Sequence, residues 1–474
     1  MEKLFDKPYF YWFHALNQIP RGSYNEEAVS NFLKKFAEDR QLEVIQDEAK
    51  NIIIHKSATP GFENSPWVTL QGHMDMVCEK LPDSDHDFSK DPIDMRVDGD
   101  WIKANKTTLG ADDGIAVAYA LSILDAKDIP HPNLEVIITT AEETGMDGAQ
   151  ALKAEHVKGE FLLNLDSEEE GIFTLGCAGG ADFHASFELE RAAATGKPVY
   201  ELEISGLKGG HSGQVIHEGR GNAIKLLARI LHQVQAEQPV QLARLTGGSK
   251  HNAIPTQAQA IFSAEGDVEA AVKAAFDEVQ AEFHIIDPDL TYKLSKGQAD
   301  TFISMAQSKQ ILDYLFVIPH GVQSMSHAMP GLVQTSLNVA IVSQDDKKLD
   351  LQVSIRSAIN SSKLELVDRL VTEAHYFGAN PEAGGQYPAW EFNPESPFID
   401  KVQKIYHDLY HEEANITAIH AGLECGLLKN IMPNTEMISF GPSMEDIHTP
   451  RERLSISSTN RVWDFLLKLL ASFK

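Results

Sequence analysis

The sequence predicts an α/β protein in which a mainly parallel sheet is interrupted along the chain by an inserted α+β domain. Three observations carry this. Apolar runs at 67–72, 134–140 and 161–165 each suit a buried strand and are separated by helical patterns, the texture of a parallel sheet. After Gly176-Cys-Ala-Gly-Gly180 the pattern changes to strands mixed with long amphipathic helices, and this continues to about 388. From 395 to 474 the α/β texture returns. The chain therefore divides into a discontinuous first domain, 1–183 and 389–474, and an inserted lid, 184–388. Its length of 474 residues also favours two domains over one core.

Taken in order, residues 7–18 and 25–39 read as helices, the second capped by Ser23 or Asn25 with Glu26 and Glu27 in its first turn. Short strands follow at 42–47 and 51–55. The strand at 67–72 runs into Gln71-Gly-His-Met-Asp-Met-Val77. Residues 81–100, rich in Asp and Pro, read as a surface loop. Thr107-Thr-Leu-Gly-Ala-Asp-Asp-Gly-Ile-Ala116 leads into an apolar helix. The strand at 134–140 ends at Ala141-Glu-Glu-Thr-Gly-Met146, and that at 161–165 ends at Asp166. In the lid, strands at 198–206, 240–246, 254–263 and 290–295 with helices at 219–236 and 267–284 form one set. A helix near 300–316, strands at 332–343 and 348–356, a helix at 362–378 and a strand near 384 form a second. The two sets point to related halves, although no sequence repeat links them. The tail adds a helix at 397–411, a strand at 436–440 and a helix at 457–472.

Composition narrows the function. Hydrophobic content of 43% and charged content of 23% suit a globular protein. Lys+Arg 41 against Asp+Glu 69 gives −28, which argues against nucleic acid or an anionic membrane as partner. There is no secretory signal pattern and no apolar run of about 18 residues. Cys78, Cys177 and Cys425 are few and far apart, which suits a reducing cytoplasm and forms no cysteine-based zinc motif. A metal would have to be held by histidines and carboxylates.

Such groups gather at the carboxyl ends of the predicted strands, where open α/β sheets bind ligands. His73 and Asp75 lie two apart and leave their strand on one side, so the carboxylate can orient the imidazole. Alone the pair is more often a solvated strand end than a metal site. Asp112, between flanking glycines, reads either as a helix cap or as a carboxylate bridging two cations, with Asp113 as the capping neighbour. Glu142 and Glu143 at a buried strand end repel each other unless cations compensate. Asp166 and His448 complete two histidines and three carboxylates, with Glu142 and Asp75 outside the ligand set. That set suits two divalent ions, zinc first, with cobalt and manganese as alternatives.

The ensemble resembles the M20 metallopeptidases, in the branch of cytosolic Xaa-His (aminoacyl-histidine) dipeptidases. The resemblance rests on Gly-His-Met-Asp-Met-Val, Thr-Leu-Gly-Ala-Asp-Asp-Gly, Glu-Glu-Thr-Gly-Met, Asn-Leu-Asp-Ser-Glu-Glu, Gly-Gly-His-Ser-Gly, His-Ala-Gly-Leu-Glu-Cys-Gly and the Gly-Pro…His loop, in that order along the chain. It implies a zinc-peptidase-like catalytic domain that cleaves unblocked dipeptides, β-alanyl-histidine among them. It implies His73 and Asp166 on one metal, Glu143 and His448 on the other, and Asp112 bridging. Glu142 would be the general base and Asp75 the residue orienting His73, with a cis peptide bond after Asp112. His211 would donate to the oxyanion from the lid. Arg356 is a candidate clamp for the substrate carboxylate, Asn252 a further contact, and Glu424 a reader of the free amino group. A tripeptide aminopeptidase, an N-acyl amino acid deacylase and a non-catalytic metal-binding homologue remain alternatives, and monomer and homodimer both stay open.

Overall fold

The computed structural model describes residues 4–194 and 196–474, which form two compact units. Of these, the first comprises 4–176, 392–418 and 423–474, and the second 177–194 and 196–391 with 419–422. The second unit starts earlier than the change of texture at 184 because strand Gly179–Glu188 pairs along its length with Lys348–Ser357. That strand is part of the second unit's sheet.

In the first unit, strands Asn133–Thr139, Trp67–His73, Phe161–Asn164 and Glu436–Ser439 lie side by side and parallel at the centre of an eight-stranded sheet. Ile52–Lys56 and Glu43–Gln46 extend it antiparallel at one edge. Helix Ala111–Asp125 is apolar on every side and buried almost throughout, which marks it as a core helix. Its Tyr119 donates to the Thr459 carbonyl and packs with Tyr9 and Trp463. Phe173, Phe440 and Phe465 fill the neighbouring layer.

Three local expectations change. The second helix spans Glu27–Asp39 and takes no side-chain cap, because Ser23 donates to Asp75 instead. The excursion at 81–100 ends in strand Met95–Asp98, which joins Trp101–Ala104, Arg453–Ser455 and Met444–Glu445 in a four-stranded sheet. Met95–Asp98 forms a local hairpin with Trp101–Ala104 across Gly99-Asp100, and Trp101–Ala104 in turn pairs with the distant Arg453–Ser455. Glu142 and Glu143 sit in a short helix, Glu142–Gly145, rather than at a strand end.

The second unit is built on a nine-stranded antiparallel sheet. One half contains Val199–Ser205, helix Ala223–Glu237, Gln241–Gly247, Ala258–Ser263, helix Val268–Phe283 and Thr291–Lys296. The other contains Gly179–Glu188, helix Met305–Val317, Val333–Gln344, Lys348–Ser357, helix Asn360–Tyr376 and Asn380–Tyr387. Each half is strand–helix–strand–strand–helix–strand, and in each the strands lie in the order fourth, first, third, second. The halves meet through their second strands at the pair Gly247↔Val342. The first half is inserted into the second, between its first strand and first helix. Asn222 caps helix Ala223–Glu237 by accepting from the Ile224 and Lys225 amides, and Ser304 caps Met305–Val317.

Candidate active site

The first unit brings seven of the expected residues together. His73 is the last residue of strand Trp67–His73. Its Nε2 lies 3.1 Å from Asp112 Oδ1, 3.6 Å from Asp166 Oδ1 and 4.0 Å from Glu142 Oε2. Asp75 Oδ1 lies 3.3 Å from Nδ1 of the same ring. The other oxygen of Asp112 is 3.0 Å from His448 Nε2, which is also 2.9 Å from Glu143 Oε2. One carboxylate thus spans two histidines, each of which has further carboxylates beside it.

Local backbone explains these positions. Asp75 accepts the Ser23 hydroxyl at 2.8 Å and the Glu142 and Glu143 amides at 3.1 and 3.4 Å, so it holds the short helix as well as facing His73. Ala141 and Met146 flank that helix with φ of 51° and 61°, turning the chain at both ends. The peptide bond between Asp112 and Asp113 is cis. Asp113 Oδ2 accepts the His73 amide, an approach left open by Gly72, whose Cβ would lie 2.3 Å from that oxygen. A Cβ on Gly441 would lie 1.8 Å from the Ser167 carbonyl oxygen, so only glycine lets the His448 loop pass the segment after Asp166.

The electrostatics are those of a site short of positive charge. Burial pushes the Asp166 carboxyl up to about 7, with His73 opposing and Asp112 and Glu143 adding to it. Burial likewise holds Glu142 well above the carboxylate range. Asp112 is buried too, but hydrogen bonds to His448 and His73 keep it low. Those from Asp112 and Glu143 raise His448 to about 11. Glu143 Oε1 is buried without a hydrogen-bond partner. Ligand atoms converge within 4.8 Å in three groups: His73, Asp113 and Asp166; His73, Glu142 and Glu143; and Asp112, Glu143 and His448. Two histidines among five buried or half-buried carboxylates, of which Asp113 and Glu143 each keep one unpaired oxygen, fit divalent cations.

Glu424 departs from its expected role. It is 1% exposed, and its Oε2 accepts Gln71 Nε2 at 2.6 Å and Thr139 Oγ1 at 2.7 Å. Its Oε1 is buried without a hydrogen-bond partner. Burial raises it to about 7.

The second unit places His211 on the two-residue strand Gly210–His211, paired with Ala253–Ile254. Its Nδ1 accepts the Gly213 and Gln214 amides at 3.1 and 3.3 Å, which leaves the ring proton on Nε2. Burial and Arg356 lower its pKa and keep the ring neutral. Asn252 is exposed, and its carbonyl accepts the Ser212 amide beside His211. Arg356 is half-buried, 3.4 Å from the Tyr387 hydroxyl, with Nε unpartnered. His420 lies in the same neighbourhood and bonds Ser336 Oγ at 2.7 Å. Sequence reasoning gave Ser23 and Asp113 only capping roles and passed over His420, which stands inside the His-Ala-Gly-Leu-Glu-Cys-Gly motif. Ser23 instead donates to Asp75, and Asp113 accepts the His73 amide.

The profile of peptidase family M20/M25/M40 matches residues 69–472. The chain belongs to that family. It is therefore a metallopeptidase, and its clustered histidines and carboxylates are suited to divalent metal. It is 39% identical to the cytosol non-specific dipeptidase of Escherichia coli (strain K12), over 99% of this chain and 98% of the relative. The crystal structure of aminoacylhistidine dipeptidase from Vibrio alginolyticus matches with a TM-score of 0.92 at 38% identity, covering 98% of this chain and 96% of that one. A Bacillus cereus aminopeptidase PepT shares the fold, with a TM-score of 0.57 at 16% identity. No helix among the described residues is long and apolar enough to cross a membrane.

Proposed function

We propose that the peptidase is a cytoplasmic dipeptidase with two divalent ions that hydrolyses unblocked dipeptides of the Xaa-His type, β-alanyl-histidine included. The observation that carries this is Asp112, whose two oxygens lie 3.1 and 3.0 Å from the Nε2 atoms of His73 and His448. His73 and Asp166 would hold one ion, Glu143 and His448 the other, with Asp112 shared. Zinc suits these nitrogen and oxygen donors, and cobalt or manganese could replace it. Bound cations supply electrophilic activation and lower the pKa of a water towards neutrality.

The protein's own groups do the rest. Glu142 takes a proton from the attacking water and passes it to the leaving amine as the C–N bond breaks. Its burial, which favours the protonated carboxyl, suits the second half of that exchange. Asp75 fixes the His73 ring from the side away from the ligand atoms. In the lid, His211 has its Nε2 proton free to stabilise the oxyanion. Arg356 offers an unpaired Nε to the substrate carboxylate, and Asn252 an exposed amide. The Escherichia coli and Vibrio alginolyticus relatives support the dipeptide reading and, through the word cytosol, the compartment.

The test is hydrolysis of β-Ala-His and Leu-His beside their N-acetylated and tripeptide counterparts, with chelated and zinc-restored enzyme. Zinc-dependent cleavage of the free dipeptides alone is the expected result. Preference for the acetylated compounds would make the chain a deacylase, and preference for tripeptides an aminopeptidase. Absence of turnover with metal bound would favour a binding protein.

A further inference from the structure

We propose that Glu452 and Arg21 form a clamp that fixes the backbone of the Asp112 loop and so sets how Asp112 meets both histidines. The inference rests on the reading of Asp112 as the shared metal ligand. Glu452 is 3% exposed, and both its oxygens are fully used. Oε2 accepts the amides of Leu109 and Gly110 at 2.6 and 3.0 Å, and Oε1 those of Ala111 and Asp112 at 2.7 and 3.4 Å. Successive amides converging on one anion make a cradle of the kind that holds phosphate elsewhere. Here the anion is a side chain of the same protein.

Arg21 grips the other side. It is 2% exposed, and its Nη2 donates to the Gly110 carbonyl at 2.5 Å and to Asn17 Oδ1 at 3.0 Å. Its Nη1 donates to the carbonyls of Met74 and Asp75 at 3.0 and 3.1 Å. Gly110 is therefore held through its N–H by Glu452 and through its C=O by Arg21. Glycine makes room for this. A Cβ at Gly110 would lie 2.5 Å from Arg21 Nη2, and one at Gly114 would lie 2.6 Å from it.

The clamp joins the segments that carry the metal-site residues. Glu452 follows His448 by four residues, and Arg21 precedes Ser23, the donor to Asp75, by two. Arg21 also bonds the backbone between His73 and Asp75. Neither side chain reaches a reacting atom, so both are positioning residues. A simple cap on helix Ala111–Asp125 would contribute stability only. A clamp on a ligand loop must also set metal affinity, because partners behind ligands typically change it about 10–100-fold.

The experiment compares wild type, E452Q, R21K and R21M by zinc competition against a chromophoric chelator, by kcat and KM on Leu-His, and by thermal melting. Glutamine matches glutamate in shape but turns an NH2 group towards amides that can only donate. The expected result for E452Q is zinc affinity at least about tenfold weaker and kcat lower with KM little changed. R21M should behave likewise and R21K should restore part of the affinity. A folded E452Q with wild-type zinc affinity and kcat, and only a lower melting temperature, would reduce Glu452 to a helix cap and overturn the clamp. If E452Q does not fold, the Arg21 pair decides: equal zinc affinity in R21M and wild type overturns it. D112N serves as the separate control. Wild-type zinc affinity in D112N would remove Asp112 as shared ligand, and the clamp's purpose with it.

Discussion

Glu142 stands 4.0 Å from His73 Nε2 and is held above the carboxylate range chiefly by burial, so its side chain is poised to carry a proton. Glu142→Ala should leave metal content intact by mass spectrometry and lower kcat by about 10²–10⁴-fold. Retained turnover would remove it as general base. His420 makes a second residue-scale prediction. Burial, with Arg356 adding, holds its pKa at about 4 against the ordinary 6.5. Between those values the unfolded chain binds the extra proton, so stability is full above pH 6.5 and falls as the pH drops towards 4. The slope is at most about 1.4 kcal/mol per pH unit. His420→Gln should flatten this loss in urea melts of the second unit at pH 5 and 7.5. The ligand types were legible at this scale because His73, Asp112 and His448 sit in distinctive motifs. Glu452 was not, because its cradle of four amides lies some 340 residues earlier in the chain.

Elements set the precision of the site. The His448 loop leaves strand Glu436–Ser439 and passes the Ser167 carbonyl so closely that Gly441 has no room for a side chain. Gly441→Ala should cost about 1–3 kcal/mol of stability, as overpacking does, and weaken zinc binding by moving His448. A melting curve and a zinc titration equal to wild type would show that the loop can yield. Most strands and helices were readable from periodicity, since the central parallel strands are continuously apolar and Ala223–Glu237 is amphipathic with an Asn222 cap. The misreadings have different causes. Ser23 looked like a cap but donates to Asp75, 52 residues away. Met95–Asp98 looked like loop because its stretch is rich in Asp and Pro, yet it pairs locally with Trp101–Ala104 across Gly99-Asp100.

For the whole molecule, the negative charge gathered around His73 and His448 predicts that metal supports the fold of the first unit as well as its chemistry. Removal of metal with a chelator should lower the first unit's melting temperature and leave the second unit's transition in place, followed by calorimetry. Each ion at 100 times its dissociation constant would account for about 2.7 kcal/mol. A single unchanged transition would contradict this. The second unit's halves share connectivity and strand order without a visible sequence repeat. A fold can persist under changed side chains as long as the alternation and the buried volume are kept.

The sequence by itself determined the α/β class and the family, and it marked the histidines and carboxylates that the first unit gathers, because periodicity and short motifs are local properties of a chain. Tertiary structure decided the distances from Asp112 to the two histidines, which His211 nitrogen keeps its proton, that Glu424 is buried against Gln71 and Thr139, and that Glu452 grips the Asp112 loop. Each of these depends on atoms brought together from distant parts of the chain, and only the packed backbone specifies those distances.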